Sequence, residues 1–349
     1  MHAVVLVGGF GTRLRPLTYS IPKPLLPVAH ISMLERLMNS LARGGVTHAV
    51  LALGFKPEPF MAAFPDDMCG SVQLSYAVED TPLDTAGAIG FAARTAGISE
   101  TFVVANGDVL TDLDIASLIS FHRQHGGEGT ISLTPVSDPS QYGIVETDEN
   151  GRVLRFVEKP QPGMTTSNFA SAGTYVLEPS ALARMPGDQK LSIERVVFPQ
   201  MVADQSLFAM WSADYWIDAG RPDTFIEANV HVAKRSAHAT DAPIHPTATV
   251  AASAVIIDSV IGENATVSDG SRIQHSVLLP GANIGQGAVV IDSLVMGKVG
   301  ANSQVTNSII GSTGVVGDNE VSNNASVPAH DPAQIPEKSP EKSPEKSPE

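Results

Sequence analysis

The chain has 349 residues, a formal net charge of −15 and a hydrophobic fraction of 43%. This length exceeds that of one typical domain, and the apolar content is enough for a sizeable core, so we expect two domains. The acidic excess argues against nucleic acid or an anionic membrane surface as a partner. The single cysteine, Cys69, excludes internal disulfides and favours a reducing compartment.

The sequence carries no sign of a membrane span or of a signal peptide. No apolar run reaches the roughly 18 residues that a membrane-crossing helix needs. The first six residues lack a basic region and a cleavage site, and we interpret them as a buried strand. We therefore expect a cytoplasmic protein without a membrane partner.

Strand-like and helix-like segments alternate over the first 235 residues. The predicted strands cover residues 3–7, 48–53, 72–78, 101–105 and 130–136. The predicted helices cover residues 33–43, 85–96 and 115–122. Apolar strands separated by helices predict an α/β domain with a Rossmann-like, mostly parallel sheet that is covered on both faces. Such sheets place ligands at the carboxyl ends of their strands.

Two local signals refine this alternation. Residues 148–151 read Asp-Glu-Asn-Gly and separate two alternating runs, 142–147 and 152–158. Asn-Gly between such runs predicts a β-hairpin. Further along, Ser192 precedes a segment with helical character and predicts the N-cap of a helix near residues 192–203.

Aliphatic residues recur every six residues in the region from about 245 to 328. The recurring positions are Ile261, Val267, Ile273, Ile284, Val290, Val299, Val305, Val315, Val321 and Val327. This period predicts a parallel β-helix, in which each short face contributes one aliphatic side chain to a stacked interior. An irregular, valine-rich β region is the alternative. Residues 277–280 are interpreted as turns or a short insertion.

A glycine-rich turn follows the first predicted strand, where residues 8–13 read Gly-Gly-Phe-Gly-Thr-Arg. Its glycines allow close approach to an anion, and their N–H groups can form an anion-binding concavity. Arg13 and Arg15 can bind phosphate in a bidentate manner, and Lys23 is a point charge between two prolines. The segment lacks the ending of a P-loop and the glycine spacing of a dinucleotide fold.

The pattern from Gly8 to Pro27 resembles the signature of the sugar-1-phosphate nucleotidyltransferases, also called NDP-sugar pyrophosphorylases. The resemblance continues in order through Glu79, Leu83 and residues 85–87, 106–108, 142–143, 158–160 and 216–220. The later repeats resemble the left-handed β-helix domain of the subgroup that contains mannose-1-phosphate guanylyltransferases. We expect a catalytic domain at 1–235, a left-handed β-helix at 245–328 and a disordered tail at 332–349, which ends in Glu-Lys-Ser-Pro repeats.

The resemblance implies roles for individual residues. Arg13, Lys23 and Lys159 would be catalytic: Arg13 holds the triphosphate, Lys23 the phosphate being transferred and Lys159 the sugar phosphate. The nucleotide-binding set would be Leu6, Gly8, Gly9, Gly11, Thr12, Arg13, Glu79, Gly87 and Asn106, with Glu79 and Gly87 facing the base. The sugar-phosphate-binding set would be Gly143, Glu158, Lys159 and Ser171.

Asp108 and Asp218 are the expected metal ligands. Asp108 lies at the carboxyl end of an apolar predicted strand, and Asp218 follows an aromatic pair. Two carboxylates together with phosphate oxygens suit Mg²⁺, which is the expected cofactor. A solvated turn residue is the alternative interpretation of Asp108.

The implied reaction is an in-line attack of a sugar-phosphate oxygen on the α-phosphate of a nucleoside triphosphate, with release of pyrophosphate. The nucleophile is already an anion, so positioning and electrostatic stabilisation suffice. The deoxythymidylyl members of the family usually lack the repeat domain. The expected substrates are therefore GTP and a hexose 1-phosphate, above all mannose 1-phosphate.

Two departures from the family pattern leave alternatives open. Asp84 stands where the family usually has glycine, and Ser171 where it usually has asparagine. An unusual acceptor such as the cyclitol phosphate valienol 1-phosphate, or a non-catalytic regulatory paralogue that binds nucleotide-sugar, is compatible with these changes. Retention of the charged residues argues against the paralogue.

The repeat region raises one rival activity, because parallel β-helices also build acyltransferases. Such an enzyme needs a catalytic histidine in the coils, and His275 is the only candidate within the repeats. We interpret His275 as an exposed turn residue. The β-helix is instead expected to form a homo-oligomer.

Overall fold

A computed structural model describes residues 1–9, 11–54, 57–235 and 241–331. The chain falls into two compact units. The first comprises residues 1–14 and 21–245, and the second comprises residues 15–20 and the chain from 246 onward. The tail predicted at 332–349 lies outside the described residues. No described helix combines the length and the hydropathy that a bilayer crossing requires.

The strands of the first unit are β1 (His2–Leu6), β2 (Pro27–Val28), β3 (Ile31–Ser32), β4 (His48–Leu53), β5 (Met68–Cys69), β6 (Val72–Val78), β7 (Phe102–Asn106), β8 (Val109–Thr111), β9 (Gly129–Pro135), β10 (Gly143–Thr147), β11 (Val153–Glu158), β12 (Phe169–Leu177), β13 (Leu207–Trp211) and β14 (Trp216–Asp218). The α-helices of the described residues are α1 (Leu17–Ser20), α2 (Met33–Arg43), α3 (Glu58–Ala63), α4 (Asp84–Thr95), α5 (Ile115–His125), α6 (Phe198–Ala203) and α7 (Pro222–Arg235). Of these helices, α1 belongs to the second unit.

A ten-stranded sheet forms the centre of the first unit within the described residues. Its main path is β11-β10-β12-β7-β1-β4-β6-β5, and β9 joins β12 to β13. The neighbours β7, β1, β4 and β6 are parallel to one another. The five predicted strands correspond to β1, β4, β6, β7 and β9 within one residue, and the predicted helices to α2, α4 and α5. These predictions are confirmed.

Both faces of the parallel sheet are buried. Val4 and Val104 pack with residues of α4 and α6, whereas Val5 and Leu51 pack with residues of α2 and α5 on the opposite face. A strand that is buried on both sides has no polar face, so its sequence is a continuous apolar run rather than an alternating one. This burial explains why the central strands could be predicted closely.

The two local signals have different outcomes. The hairpin is confirmed, because β10 and β11 are antiparallel and Gly151 in the connecting turn has φ +78°. Ser192 is confirmed as an N-cap, because its side chain accepts a hydrogen bond from Arg195 N. The helix that follows differs from the prediction: it begins with a π-helical turn, Ile193–Val197, and becomes α-helical only at α6. Pro199 lies in the first turn of α6 and has no N–H to donate to the preceding turn.

The second unit contains short strands, stacked in three parallel sheets over the described residues. They are β15 (Thr249–Val250), β16 (Val255–Ile257), β17 (Val260–Ile261), β18 (Thr266–Val267), β19 (Arg272–Gln274), β20 (Val277–Leu278), β21 (Asn283–Ile284), β22 (Val289–Ile291), β23 (Leu294–Val295), β24 (Lys298–Val299), β25 (Gln304–Thr306), β26 (Ile309–Ile310), β27 (Val315–Val316), β28 (Val321–Asn323) and β29 (Ser326–Val327). Each coil contributes one strand to each sheet. This is a parallel β-helix, consistent with the left-handed form that the resemblance implied.

The six-residue period describes most of the interior but not all of it. Ile261, Val267, Ile273, Ile284, Val290, Val299 and Val305 are buried together, as predicted. Val315 and Val321 were wrongly expected inside: they are 60% and 73% exposed, and Val316 is buried instead. Interior residues Val305 and Ile310 are five positions apart. A shift of one residue turns a strand's side chains to the other face.

Residues 277–280 are not an insertion, and only Pro280, at the end of the segment, lies in a turn. Val277 and Leu278 form β20, which pairs with β17 and β23, and Leu278 is buried in the interior. The middle strands of successive coils begin at residues 255, 272 and 289, a spacing of 17, and then at 304, which is 15 residues on. At least one face of each coil is therefore shorter than six residues. This short face was mistaken for an interruption.

One corner of the β-helix is a column of residues in the left-handed region. Asp258, His275, Asp292, Asn307 and Asn324 have φ between 44° and 52°. Asp and Asn tolerate this region better than most residues do. His275 is partly exposed, and its Nδ1 lies 2.6 Å from Asp292 Oδ1. It is a corner residue, as expected.

Residues 15–20 pack within the second unit although they lie early in the chain. Ser20 Oγ lies 3.9 Å from Met296 Sδ and 3.3 Å from Ser312 Oγ. At Gly311, a Cβ atom would lie 2.9 Å from Pro16 Cβ, so this glycine permits a close approach of the two segments. The chain therefore leaves the first unit after Leu14 and returns to it at Ile21.

Candidate active site

A cavity of about 380 Å³ lies at the carboxyl ends of the adjacent strands β7, β1, β4 and β6. This is the position at which parallel α/β sheets bind ligands. The lining residues are Leu6, Val7, Gly8, Gly9, Lys23, Pro24, Ala52, Gly54, Glu79, Pro82, Asp84, Thr85, Ala88, Asn106 and Asp108. Five residues of the predicted nucleotide-binding set are thus brought together here: Leu6, Gly8, Gly9, Glu79 and Asn106.

The glycines of the turn after β1 have specific structural reasons. A Cβ at Gly8 would lie 3.1 Å from Gly54 N, so the two segments can approach only without a side chain there. Gly11 has φ +58°, and its carbonyl accepts a hydrogen bond from Leu14 N. Thr12 and Arg13 then form an exposed 3₁₀ turn. Gly11, Thr12 and Arg13 are not among the lining residues of the cavity.

Lys23 and the two predicted metal ligands form one charged cluster. The Lys23 side chain is only 7% exposed, and its Nζ lies 2.7 Å from Asp108 Oδ2 and 3.6 Å from Asp218 Oδ1. Arg13 Nη2 lies 3.8 Å from Asp218 Oδ2. The structure therefore brings Arg13, Lys23, Asp108 and Asp218 together at one end of the cavity.

A small ribbon outside the main sheet places the second aspartate. Strand β14 pairs with β8 in the antiparallel direction, with Asp218 opposite Val109, which follows Asp108 directly. The side chain of Trp216 donates a hydrogen bond from Nε1 to Ala172 O at 2.9 Å. Its ring meets Tyr142 edge to face at 5.4 Å. The ribbon thus connects the charged cluster to β12 and to the hairpin.

Gly220 is part of this cluster, although the sequence assigned it no role. A Cβ at Gly220 would lie 2.6 Å from Arg13 Nη2, 2.6 Å from Asp218 Oδ1 and 2.8 Å from Lys23 Nζ. The three charged groups can therefore approach this position only because Gly220 has no side chain. The Asp-Ala-Gly segment at 218–220 carried the family resemblance, and its glycine was the signal that could have indicated this contact.

The donor set at this end of the cavity fits a divalent metal. Asp218 Oδ1 is buried and has no hydrogen-bond partner among the described residues. Carboxylate oxygens are the ligands that Mg²⁺ prefers, with substrate phosphates and water completing its octahedron. No group of three or more His, Cys, Asp or Glu side chains in the described ranges could hold a metal alone. With Asp108 and Asp218 as its protein ligands, a metal here would take its further ligands from substrate phosphates and water.

The predicted base contacts, Glu79 and Gly87, have different surroundings. Glu79 lines the cavity, and its Oε2 accepts a hydrogen bond from Leu83 N at 2.8 Å. Burial raises the pKa of this carboxyl. Gly87 is buried inside α4, where a Cβ would lie 2.5 Å from Gln189 O. Its position is therefore explained by packing of α4, and it is not among the lining residues.

Asp84 begins α4 at the edge of the same cavity. Its backbone has φ +59°, which explains why a glycine is the usual residue here. Its Oδ1 accepts a hydrogen bond from Thr85 N at 2.8 Å. The side chain is exposed and lines the cavity together with Glu79.

The predicted sugar-phosphate-binding residues lie on the hairpin and on β12. Gly143 pairs with Glu158, and a Cβ there would lie 2.9 Å from Glu158 Oε2. Burial, and next the nearby Glu194, raise the pKa of Glu158. Lys159 is exposed, and its Nζ lies 3.7 Å from Glu158 Oε1. Ser171 Oγ is a buried atom without a hydrogen-bond partner in the described part of the chain.

Comparisons with known proteins cover most of the chain. The family described as "Nucleotidyl transferase" matches residues 2–235, and the family described as "GMPPB C-terminal domain" matches residues 239–338. A mannose-1-phosphate guanylyltransferase of Mycobacterium tuberculosis is 37% identical over 302 residues, 83% of each chain. A mannose-1-phosphate guanyltransferase of Hypocrea jecorina is 36% identical over 355 residues, 95% of this chain and 96% of that one.

A solved structure shows the same fold. It comes from Bacillus anthracis and carries the name glucose-1-phosphate thymidylyltransferase. The TM-score is 0.61 at 21% identity, over 69% of this chain and 98% of that one. Enzymes of the matched family act on a nucleoside triphosphate and a sugar 1-phosphate and generally use a divalent metal. From the match over residues 2–235, the chain belongs to the nucleotidyl transferase family.

Proposed function

We propose that this protein condenses GTP with mannose 1-phosphate to give GDP-mannose and pyrophosphate. The cluster of Lys23, Asp108 and Asp218 at the end of the cavity carries the proposal. Lys23 offers positive charge to a phosphate at this strand-end site, and the two carboxylates offer ligands to a metal. The relatives that match along almost the whole chain are named for this reaction. They favour neither a cyclitol acceptor nor a non-catalytic paralogue.

The proposed roles follow the positions of the residues. Gly8 and Gly9 offer backbone N–H groups to the triphosphate at the end of β1, and Arg13 and Lys23 neutralise its charge. Because the Lys23 side chain is almost fully buried, its ammonium is held in a low-dielectric setting, where its effect on a developing negative charge is large. Asp108 holds this ammonium in place.

The sugar phosphate is proposed to lie beside the hairpin. Glu158 accepts hydrogen bonds from the sugar hydroxyls, Lys159 neutralises the phosphate, and Gly143 and Ser171 line the acceptor site. The phosphate oxygen of the sugar attacks the α-phosphorus in line, and pyrophosphate leaves. Mg²⁺ held by Asp108 and Asp218 would add positive charge at the α-phosphate. The attacking oxygen is already anionic, so the chain needs no general base.

Pyrophosphate release tests this proposal. Each nucleoside triphosphate is assayed with mannose 1-phosphate, glucose 1-phosphate and a cyclitol phosphate, and GTP with mannose 1-phosphate should give the highest kcat/KM. Asp108→Asn should lower kcat by roughly 100-fold or more, since the variant weakens the metal site and the anchor of the Lys23 ammonium, the two sources of positive charge at the transferred phosphate.

Asp112→Asn is the matched control, because Asp112 follows β8 at the far end of the same ribbon and pairs with Arg235. It should stay within about twofold of the parent activity, as expected of an exposed ion pair. Circular dichroism of both variants checks the fold. If none of the substrate pairs yields pyrophosphate, the proposal is refuted. Near-normal turnover in Asp108→Asn would refute the metal assignment.

A further inference from the structure

One short turn connects the wall of the cavity to the hairpin. Thr85, in the first turn of α4, lines the cavity. The π-helical turn Ile193–Val197 packs against both α4 and β11, the strand that ends in Glu158. Turns of this kind are rare and frequently occur at functional sites. The π-helical turn therefore joins the nucleotide end of the proposed site to its sugar end.

The Thr85 hydroxyl makes two hydrogen bonds to this turn. Its Oγ1 donates to Glu194 Oε2 at 2.8 Å and accepts from Ile193 N at 2.8 Å. A hydroxyl has a single proton to donate, and Glu194 accepts it. Thr85 thus lines the cavity without a proton to donate to a nucleotide. Its hydroxyl is used to hold the π-helical turn, and above all to hold the Glu194 carboxylate.

The Glu194 carboxylate lies close to that of Glu158. Burial, and next Glu194, raise the pKa of Glu158. Burial also raises the pKa of Tyr175 on β12, and Glu194 raises it further. Two carboxylates of like charge repel each other, so hydrogen-bond donors are needed to hold Glu194 beside Glu158. The donors are Thr85 Oγ1 at 2.8 Å and Ser192 Oγ at 2.7 Å, and both bonds end on Glu194 Oε2.

We propose that Thr85 is a positioning residue: it fixes Glu194 beside Glu158 and thereby sets the affinity of the site for the sugar half of the product. This inference rests on the proposed function. With both carboxylates in place, the acceptor site accepts hydrogen bonds from two neighbouring sugar hydroxyls. A Glu194 released from Thr85 moves away from the like charge of Glu158, and one of these acceptors is lost. The nucleotide half is bound by other residues and keeps its affinity.

Equilibrium binding of GTP and of GDP-mannose, measured by calorimetry on the full chain, separates the two halves of the site. Thr85→Val removes the hydroxyl and keeps the shape of the side chain. It should weaken GDP-mannose binding roughly tenfold, as expected for a lost hydrogen bond to a charged group, and keep GTP binding within about twofold. Thr85→Ser keeps the hydroxyl and should restore most of the affinity. The backbone link to α4 remains in both variants, because Ala86 N and Gly87 N donate to Leu191 O.

Thr101→Val is the matched control, because the Thr101 hydroxyl also donates to a glutamate, Glu178 Oε1, at 2.8 Å. Thr101 directly precedes β7, at the end of the strand opposite to the cavity. This variant should keep both affinities within about twofold. Glu194→Gln combined with Thr85→Val tests the route: the double variant should lose no more affinity for GDP-mannose than Glu194→Gln alone, because residues that act through one contact are not additive.

An unchanged affinity for GDP-mannose in Thr85→Val overturns the inference. An equal loss for GTP and GDP-mannose also overturns it, because that result shows a general role in the fold. So does an equal loss in Thr85→Ser and Thr85→Val, or full additivity in the double variant. Turnover is assayed separately. If the parent releases no pyrophosphate from any substrate pair, the proposed function fails, whereas a selective loss of GDP-mannose binding in Thr85→Val upholds the positioning role.

Discussion

Gly220 lies where one added carbon atom would contact three charged side chains at once. We predict that Gly220→Ala lowers kcat by roughly 100-fold, because the new methyl group displaces Arg13, Lys23 or Asp218 from its position, and small displacements in a site are costly. Steady-state kinetics with circular dichroism measure the effect. The fold should persist, since the contacts are ends of side chains rather than packed backbone.

Gly97→Ala is the matched control for this variant. Gly97 has φ +63° and open space around its missing Cβ, and it lies after α4 away from the charged cluster. The alanine should lower the free energy of unfolding by about 1 kcal/mol through backbone strain, with activity unchanged. Full activity in Gly220→Ala would show that the cluster tolerates the methyl group.

At the residue scale, charged side chains were easier to predict than glycines. Lys23, Asp108 and Asp218 carry charge that phosphate chemistry needs, and the structure brings all three together. Gly220 and Gly87 owe their importance to which atoms approach them from distant segments. A sequence without coordinates does not contain those distances, so Gly220 was overlooked, and Gly87 was predicted as a base contact without any packing role.

At the scale of single elements, the β8–β14 ribbon controls where Asp218 lies. We predict that Trp216→Phe lowers the apparent affinity for Mg²⁺ roughly tenfold, because the ring loses its hydrogen bond to Ala172 O and the ribbon loses its alignment with β12. Titration of activity with Mg²⁺ at saturating substrates measures this shift. Thermal unfolding should change little, since Trp216 is only partly buried.

Trp211→Phe is the control for the loss of an indole group. Trp211 is exposed at the end of β13 and meets Phe169 at a ring distance of 6.2 Å. Its Mg²⁺ titration should match that of the parent. An unchanged titration in Trp216→Phe would mean that pairing of β8 with β14 alone positions Asp218.

Elements with a strong local pattern were predictable, and short ones were not. The central strands are long apolar runs, and the hairpin has an Asn-Gly turn. Strands β8 and β14 have three residues each, too few for a period to show. In the β-helix the adjacent Val315 and Val316 are equally apolar, so composition could not decide which one faces inward. The spacing of five residues between the interior residues Val305 and Ile310 sets which of the two valines faces inward.

At the scale of the whole molecule, the segment 15–20 connects the two units along the chain. We predict that Gly311→Ala raises the KM for GTP roughly tenfold, although Gly311 lies in the β-helix. A Cβ there would lie 2.9 Å from Pro16 Cβ. A displacement of Pro16 shifts the segment 15–20, which joins Arg13 on its N-terminal side to Lys23 on its C-terminal side. Steady-state kinetics measure the effect.

Gly281→Ala is the control in the same unit, because its φ of +77° is accompanied by open space. It should lose stability without a change in KM. Light scattering of the parent and both variants tests the homo-oligomer expected from the sequence and shows whether assembly is altered. An unchanged KM in Gly311→Ala would show that the segment absorbs the displacement locally.

The path of residues 15–20 also limits how the two units can be recombined with units from other proteins. Arg13 and Lys23 lie in the first unit, yet the residues that join them are packed in the second. A β-helix taken from another protein would have to provide packing contacts for this segment as well as fold by itself. The β-helix is therefore not freely exchangeable. We expect that substitutions in residues 15–20 and substitutions in the repeats that contact them occur together.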